Sequence, residues 1–268
     1  MIRDGHVHTP YCPHGTKDTL EAYVEMAISL GYKTITFAEH APLPAGFTDA
    51  APTRDSAMDN DMLEEYFADL DRVKRTYTGK IIIYAGLEID YIEGFEEQTT
   101  AFLNRVGPRL DDAILSVHFL QNTGVYDCLD YSPGVFGSMA ERYGSTEMVH
   151  ERYYQTVLKS ILADMGPYKP RRIGHMTLAC KFQLKYPSSR CFQNEITAIL
   201  SAISQKGYEL DYNGAGTAKP LCREPYPPDW IVKEAVRLGI PLVYGSDAHQ
   251  AKELGQGLSA IDRTVLAT

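Results

Sequence analysis

The chain has 268 residues, 44% of them hydrophobic and 23% charged, which suits one sizeable domain in the range where an α/β barrel runs as a single unit. A formal net charge of -9 argues against a nucleic-acid partner, because phosphate backbones need a basic surface, but it leaves room for a small anionic substrate where bound cations reverse the field in one pocket. No stretch is apolar enough to span a bilayer and the start MIRDGHVH lacks a signal-peptide apolar region, so the expectation is a cytoplasmic protein with no membrane partner.

Along the chain, short apolar runs alternate with helical patterns. The predicted strands cover 2–6, 34–38, 81–87, 113–117, 172–174, 208–212 and 242–244, and amphipathic stretches fill 19–30, 62–76, 95–105, 146–165, 190–206 and 229–238. Gly31, Gly207 and Gly239 stand where helices should end. Strands each followed by a helix imply parallel pairing with right-handed crossovers. No repeat or linker divides the chain, so residues 1–268 are expected to form a single domain. Two long insertions, 41–61 and 119–145, have the length of lids or binding loops. The pattern fixes no oligomeric state.

The chemistry is carried by histidines and acids. His6, His8, His40, His118 and His175 fall at or near the ends of predicted strands, and His249 closes GSDAH after the last one. In parallel α/β folds the functional site lies beyond the C-terminal strand ends, so these rings should converge at one mouth. In D-G-H-V-H, two-residue spacing turns both rings of an extended segment to one side, and Asp247 with His249 repeats the arrangement. Imidazole nitrogens with carboxylate oxygens suit zinc, manganese or iron. Glu88, ending IIIYAGLE, lies in the same layer and reads as a bridging carboxylate, while Glu39 and Asp4 read as acceptors that orient imidazoles. His150, in TEMVHERYYQTVL, reads as a surface or packing residue pointing away from the mouth, and His14 taken alone as a turn residue. The five cysteines are scattered with no C-x-x-C, which argues against disulfides and a thiolate zinc site.

DGHVHTPYCPHG, TFAEH, GLEID, SVH, IGH and GSDAH, in that order, resemble the motifs of the PHP (polymerase and histidinol phosphatase) superfamily, with the SVHF segment and the NGAG…KP…YPP run closest to its histidinol-phosphate phosphatase branch. The resemblance implies a distorted (β/α)7 barrel with three divalent transition-metal ions at the C-terminal mouth. It implies one ion on His6, His8, Glu88 and Asp247, a second on Glu88, His118 and His175, and a third on His14, His40 and His249. Thr177, Cys180 and the NGAGTAKP run depart from the usual pattern, which bears on the substrate-facing shell.

The activity implied is hydrolysis of a small phosphate monoester, L-histidinol phosphate. Glu88 and Asp247 are expected as catalytic carboxylates, and Lys181, Lys219 and Arg223 as the phosphate cradle. Phe119, Tyr126 and Asp127 of the second insertion are expected to meet the imidazole end. Two other readings stand beside this one: a relative acting on nucleotides or DNA ends, and a non-catalytic metal-binding protein. Net acidity weighs against the first, and a ligand set larger than the four a closed structural site needs weighs against the second.

Overall fold

Seven parallel strands carry the molecule: β1 (Arg3–Val7), β2 (Thr34–His40), β3 (Ile82–Asp90), β4 (Asp112–Ser116), β7 (Arg172–Ile173), β8 (Glu209–Asn213) and β9 (Leu242–Gly245), hydrogen-bonded in that order. This computed structural model describes residues 3–267, so Ile2 of the first expected strand lies outside the described residues. The other expected strands appear with their ends shifted by no more than three residues. Between β1 and β9 the barrel closes through backbone: Asp247 N donates to His6 O at 2.7 Å and His8 N to Ala248 O at 3.0 Å. The H-x-H and GSDAH segments are thereby stitched side by side, which fixes their side chains relative to each other.

Helices α1 (Leu20–Ser29), α2 (Leu63–Thr76), α3 (Glu96–Val106), α4 (Pro133–Tyr143), α5 (Thr146–Leu162), α6 (Gln193–Lys206), the single turn α7 (Ala215–Ala218) and α8 (Asp229–Arg237) flank the sheet. α2 buries Leu63, Tyr66, Phe67, Leu70 and Val73, a stripe at three- and four-residue spacing. Each such side chain contributes ~1.5–3 kcal/mol of burial. The helix starts are held by side chains: Thr19, Ser132 and Ser145 accept from the backbone amides of Ala22, Val135 and Met148. The three expected end glycines all have positive φ, 77° at Gly31, 64° at Gly207 and 70° at Gly239.

The second insertion is more ordered than the sequence suggests. It folds into an antiparallel hairpin of β5 (Phe119–Asn122) and β6 (Val125–Cys128), followed by α4. Alternation over four-residue strands is too short to stand out by periodicity. The first insertion packs on this hairpin through a small separate core: the Phe47 ring lies 5.1 Å from Phe119, 5.1 Å from Tyr126 and 5.3 Å from Phe95. The two insertions therefore form one wall over the mouth.

Candidate metal centre

Strand register brings the predicted residues together. His40 and Glu88 are direct partners across β2 and β3. Neighbouring rings run across the mouth, His8 to His249 at 4.0 Å, His8 to His40 at 4.2 Å, His118 to His175 at 4.9 Å and His14 to His249 at 5.0 Å between centroids. His6, His8, His14, His40, Glu88, His118, His175, Asp247 and His249 all reach one site, and His14 is no mere turn residue. Glu88, buried, sits at the hub: Oε2 is 3.0 Å from His40 Nδ1 and 3.4 Å from His6 Nε2, and Oε1 is 2.9 Å from His175 Nε2.

Five rings turn the same edge inward. The Nδ1–H of His6 donates to Asp211 at 2.8 Å, that of His8 to Glu39 at 3.2 Å and that of His118 to Asp90 at 2.8 Å. His14 Nδ1 donates to Asp55 O at 2.7 Å and His249 Nδ1 to Asp247 O at 3.0 Å. An acceptor behind Nδ1 fixes the tautomer and leaves the Nε2 lone pair facing the centre, the arrangement of metal-ligating histidines. Glu39 was anticipated in this role. Asp4 was not placed correctly: its Oδ1 accepts from the backbone amides of His6 and Ser246 and touches no ring, and burial pushes its carboxyl up to about 7.

Asp90 and Asp211 do the orienting that sequence reading missed, and both sit two residues beyond or before positions that drew attention, on the same strand face. Asp211 Oδ2 also accepts from Asn213 Nδ2, which reaches Asp247 Oδ2, each at 3.1 Å. Gly245 makes this possible, because a Cβ there would come within 2.4 Å of Asp211 Oδ1 and 2.6 Å of the His6 Cβ. Asp247 itself adopts φ 54°, a left-handed conformation that costs energy in a non-glycine residue and is tolerated where the surroundings require it.

Donor atoms are left over at the hub. His6 Nε2, His40 Nδ1 and Glu88 Oε2 are buried without a hydrogen-bond partner, a combination that is costly unless a cation lies among them. Three sets of donor atoms fall within 4.8 Å of one another: His6, His8 and Asp247; His40, Glu88 and His118; and His8, Cys12, His40 and His249. Cys12 was not foreseen, and burial raises its thiol well above the ordinary range. Imidazole and carboxylate donors of this kind fit divalent transition metals.

The field is strongly coupled. Burial works against charge on His6 and His8, yet Glu88 and Asp211 raise the first and hydrogen bonds donated to Asp247 and Glu39 raise the second to about 9. Burial and the charge of His8 hold His40 and His249 down. Glu88 and Asp247 stay well below the ordinary carboxylate range despite burial, because His6 lies beside both. Two carboxylates held ionised among imidazoles give the site a charge and donor set suited to cations.

A cavity of about 450 Å³ opens over the centre, lined among others by His14, His40, His118, His175, Asp247 and His249, with Lys181 and Lys219 on its wall. Arg223 is a correction: it is exposed, outside the cavity lining, and its Nε donates to Pro220 O. Phe119, Tyr126 and Asp127 also fail to face the cavity. Phe119 is buried in the small core, the Tyr126 hydroxyl donates to Glu93 O, and Asp127 pairs with Arg142. From the same insertion it is Cys128, Asp130 and Tyr131 that line the wall.

A parallel barrel with imidazoles and carboxylates converging on its C-terminal mouth is the architecture of a divalent-metal hydrolase. The chain belongs to the PHP domain family, which matches residues 4–215. It is 47% identical over 260 residues to the histidinol-phosphatase of Bacillus subtilis, covering 96% of this chain and 97% of that one. Among solved structures, a Listeria monocytogenes protein assigned as a histidinol phosphatase superposes with a TM-score of 0.94 at 39% identity, over 97% of this chain and 100% of the other. The histidinol phosphate phosphatase of Lactococcus lactis, solved with zinc, L-histidinol and phosphate, shares the fold at 20% identity and a TM-score of 0.74, over 99% of this chain and 94% of the other. The distorted seven-stranded barrel and the family expected from the motifs both hold.

Proposed function

We infer that this chain is a metal-dependent histidinol-phosphatase, which splits L-histidinol phosphate with water into L-histidinol and inorganic phosphate. The observation that carries the reading is near-full-length identity to a histidinol-phosphatase combined with a mouth whose buried donor atoms lack partners. Zinc, L-histidinol and phosphate in the Lactococcus protein support the same substrate class and a zinc-compatible centre.

Three ions are proposed, of zinc, manganese or iron. His6, His8, Glu88 and Asp247 would hold one, Glu88, His118 and His175 another, and His14, His40 and His249 the third. Bound divalent ions supply charge neutralisation for the phosphoryl oxygens and a lowered pKa for water. The chain's own groups do the rest. Glu88, touching His6, His40 and His175, holds the hub together as a catalytic carboxylate. Asp247 lines the cavity with 16% of its side chain exposed, against 1% for Glu88, so it is the catalytic carboxylate of the hub placed to meet the attacking water and guide its proton. Lys181 and Lys219 offer cations to the phosphate. The insertions line the cavity through Ala51, Asp55, Ser56, Cys128, Asp130 and Tyr131, where they would limit the access of bulk water to a bound substrate.

The test is phosphate release from a panel of monoesters. L-histidinol phosphate is expected to give the highest kcat/KM, above alkyl and aryl phosphates, nucleotides and DNA ends. A nucleotide or sugar phosphate in first place would contradict the substrate assignment.

A further inference from the structure

Two charged residues on the cavity wall are unused by the metal centre. Lys181, in the 3-10 turn Leu178–Phe182 after β7, donates from Nζ to Asp130 Oδ2 at 2.8 Å. Asp130 comes from the second insertion, after β6, and the two side chains are 22% and 20% exposed. Burial opposes the Lys181 charge, but Asp130 holds its ammonium above the ordinary range. The other Asp130 oxygen, Oδ1, meets only the Cys128 thiol at 3.5 Å, a weak donor.

The remaining acids of the wall are engaged. Asp90 takes the His118 ring, Asp247 takes His8 and Asn213, and Glu253 takes the His249 amide and the Gln250 side chain. Asp55 accepts from Thr53 in an exposed loop. Asp130 alone among them joins spare acceptor capacity to a cation on the same wall.

L-Histidinol phosphate carries a phosphate anion and an α-ammonium separated by two carbons and an ester oxygen. We propose that Lys181 and Asp130 read this zwitterion as a pair, Lys181 facing the phosphate and Asp130 Oδ1 accepting the ammonium, so that Asp130 determines specificity for the amine. This rests on the substrate reading above. A preformed ion pair is already oriented and partly desolvated, so a complementary zwitterion adds charge-assisted hydrogen bonds at little cost in ordering. A substrate without the amine forgoes the Asp130 contact, and a site built for a polar group discriminates strongly against its absence.

The experiment uses the metal-loaded enzyme and two esters, L-histidinol phosphate and its des-amino analogue imidazolylpropyl phosphate. The wild type is expected to prefer the amine by at least ~10-fold in kcat/KM, the scale of one charge-assisted hydrogen bond. Asp130→Asn should bring that ratio close to one, whereas Lys181→Met should slow both esters and keep the ratio. Asp130→Glu, which retains the charge, should restore part of the preference and guards against an amide variant that folds badly. A wild-type ratio near one, or an unchanged ratio in Asp130→Asn, overturns the proposal. Failure of the wild type to hydrolyse either ester overturns the substrate reading beneath it.

Discussion

His150 and five histidines of the mouth, His6, His8, His40, His118 and His175, are buried, yet they live under opposite rules. His150, on α5, is 3% exposed and lies among the rings of Phe136, Tyr154 and Phe192, with Nε2 unpartnered. Burial outweighs the opposing pull of Glu147 and the Ala179 backbone and pushes it down to about 4, so the ring is neutral packing. At the mouth, His118 is also buried, but Asp90 and Glu88 overcome that burial and raise it to about 10. What makes a site is the acceptor behind each ring and the shared carboxylate in front, and burial by itself makes core.

That contrast can be broken most severely at the hub. Glu88→Gln keeps the volume and removes the charge that His6, His40 and His175 face. Turnover of L-histidinol phosphate should fall at least ~100-fold, on the scale of losing a principal transition-state stabiliser, with less metal bound and the fold kept. His150→Gln should leave turnover and metal content near the wild type. Equal losses in both variants, measured by phosphate release and metal analysis, would erase the distinction.

A smaller effect sharpens the other side of the comparison. The folded pKa of His150 lies below its ordinary 6.5, so its contribution is complete above that value and is lost as pH falls toward about 4. Over that window the wild type should lose about 3 kcal/mol from this one group. Denaturant midpoints of wild type and His150→Gln should diverge at neutral pH and approach each other in acid. Parallel pH profiles would show that His150 titrates freely.

The mouth was legible in the sequence because parallel strands deliver their C-terminal ends to one place, so His6, Glu88, His118 and His175 could be placed from strand ends alone. His14 and the grouping of ligands came from the resemblance, since a loop histidine has no periodicity. Asp90 and Asp211 were missed because an acid on a buried strand looks the same whether it faces a ring or a backbone amide, and Asp4 shows the second outcome. The wall was the least legible part. Its hairpin pairs residues across a two-residue turn at Thr123 and Gly124, and packing around Phe47 decides which side chains face the cavity. Asp130 thus lines the cavity while Asp127 pairs with Arg142.

The central claim is that the converging donors bind catalytic metal, and one measurement meets it directly: metal content and L-histidinol phosphate turnover on the same purified sample, before and after chelation. More than one transition-metal equivalent per chain is expected at the start, with turnover abolished by chelation and restored by zinc, manganese or iron. Full turnover in protein stripped of metal would contradict the account.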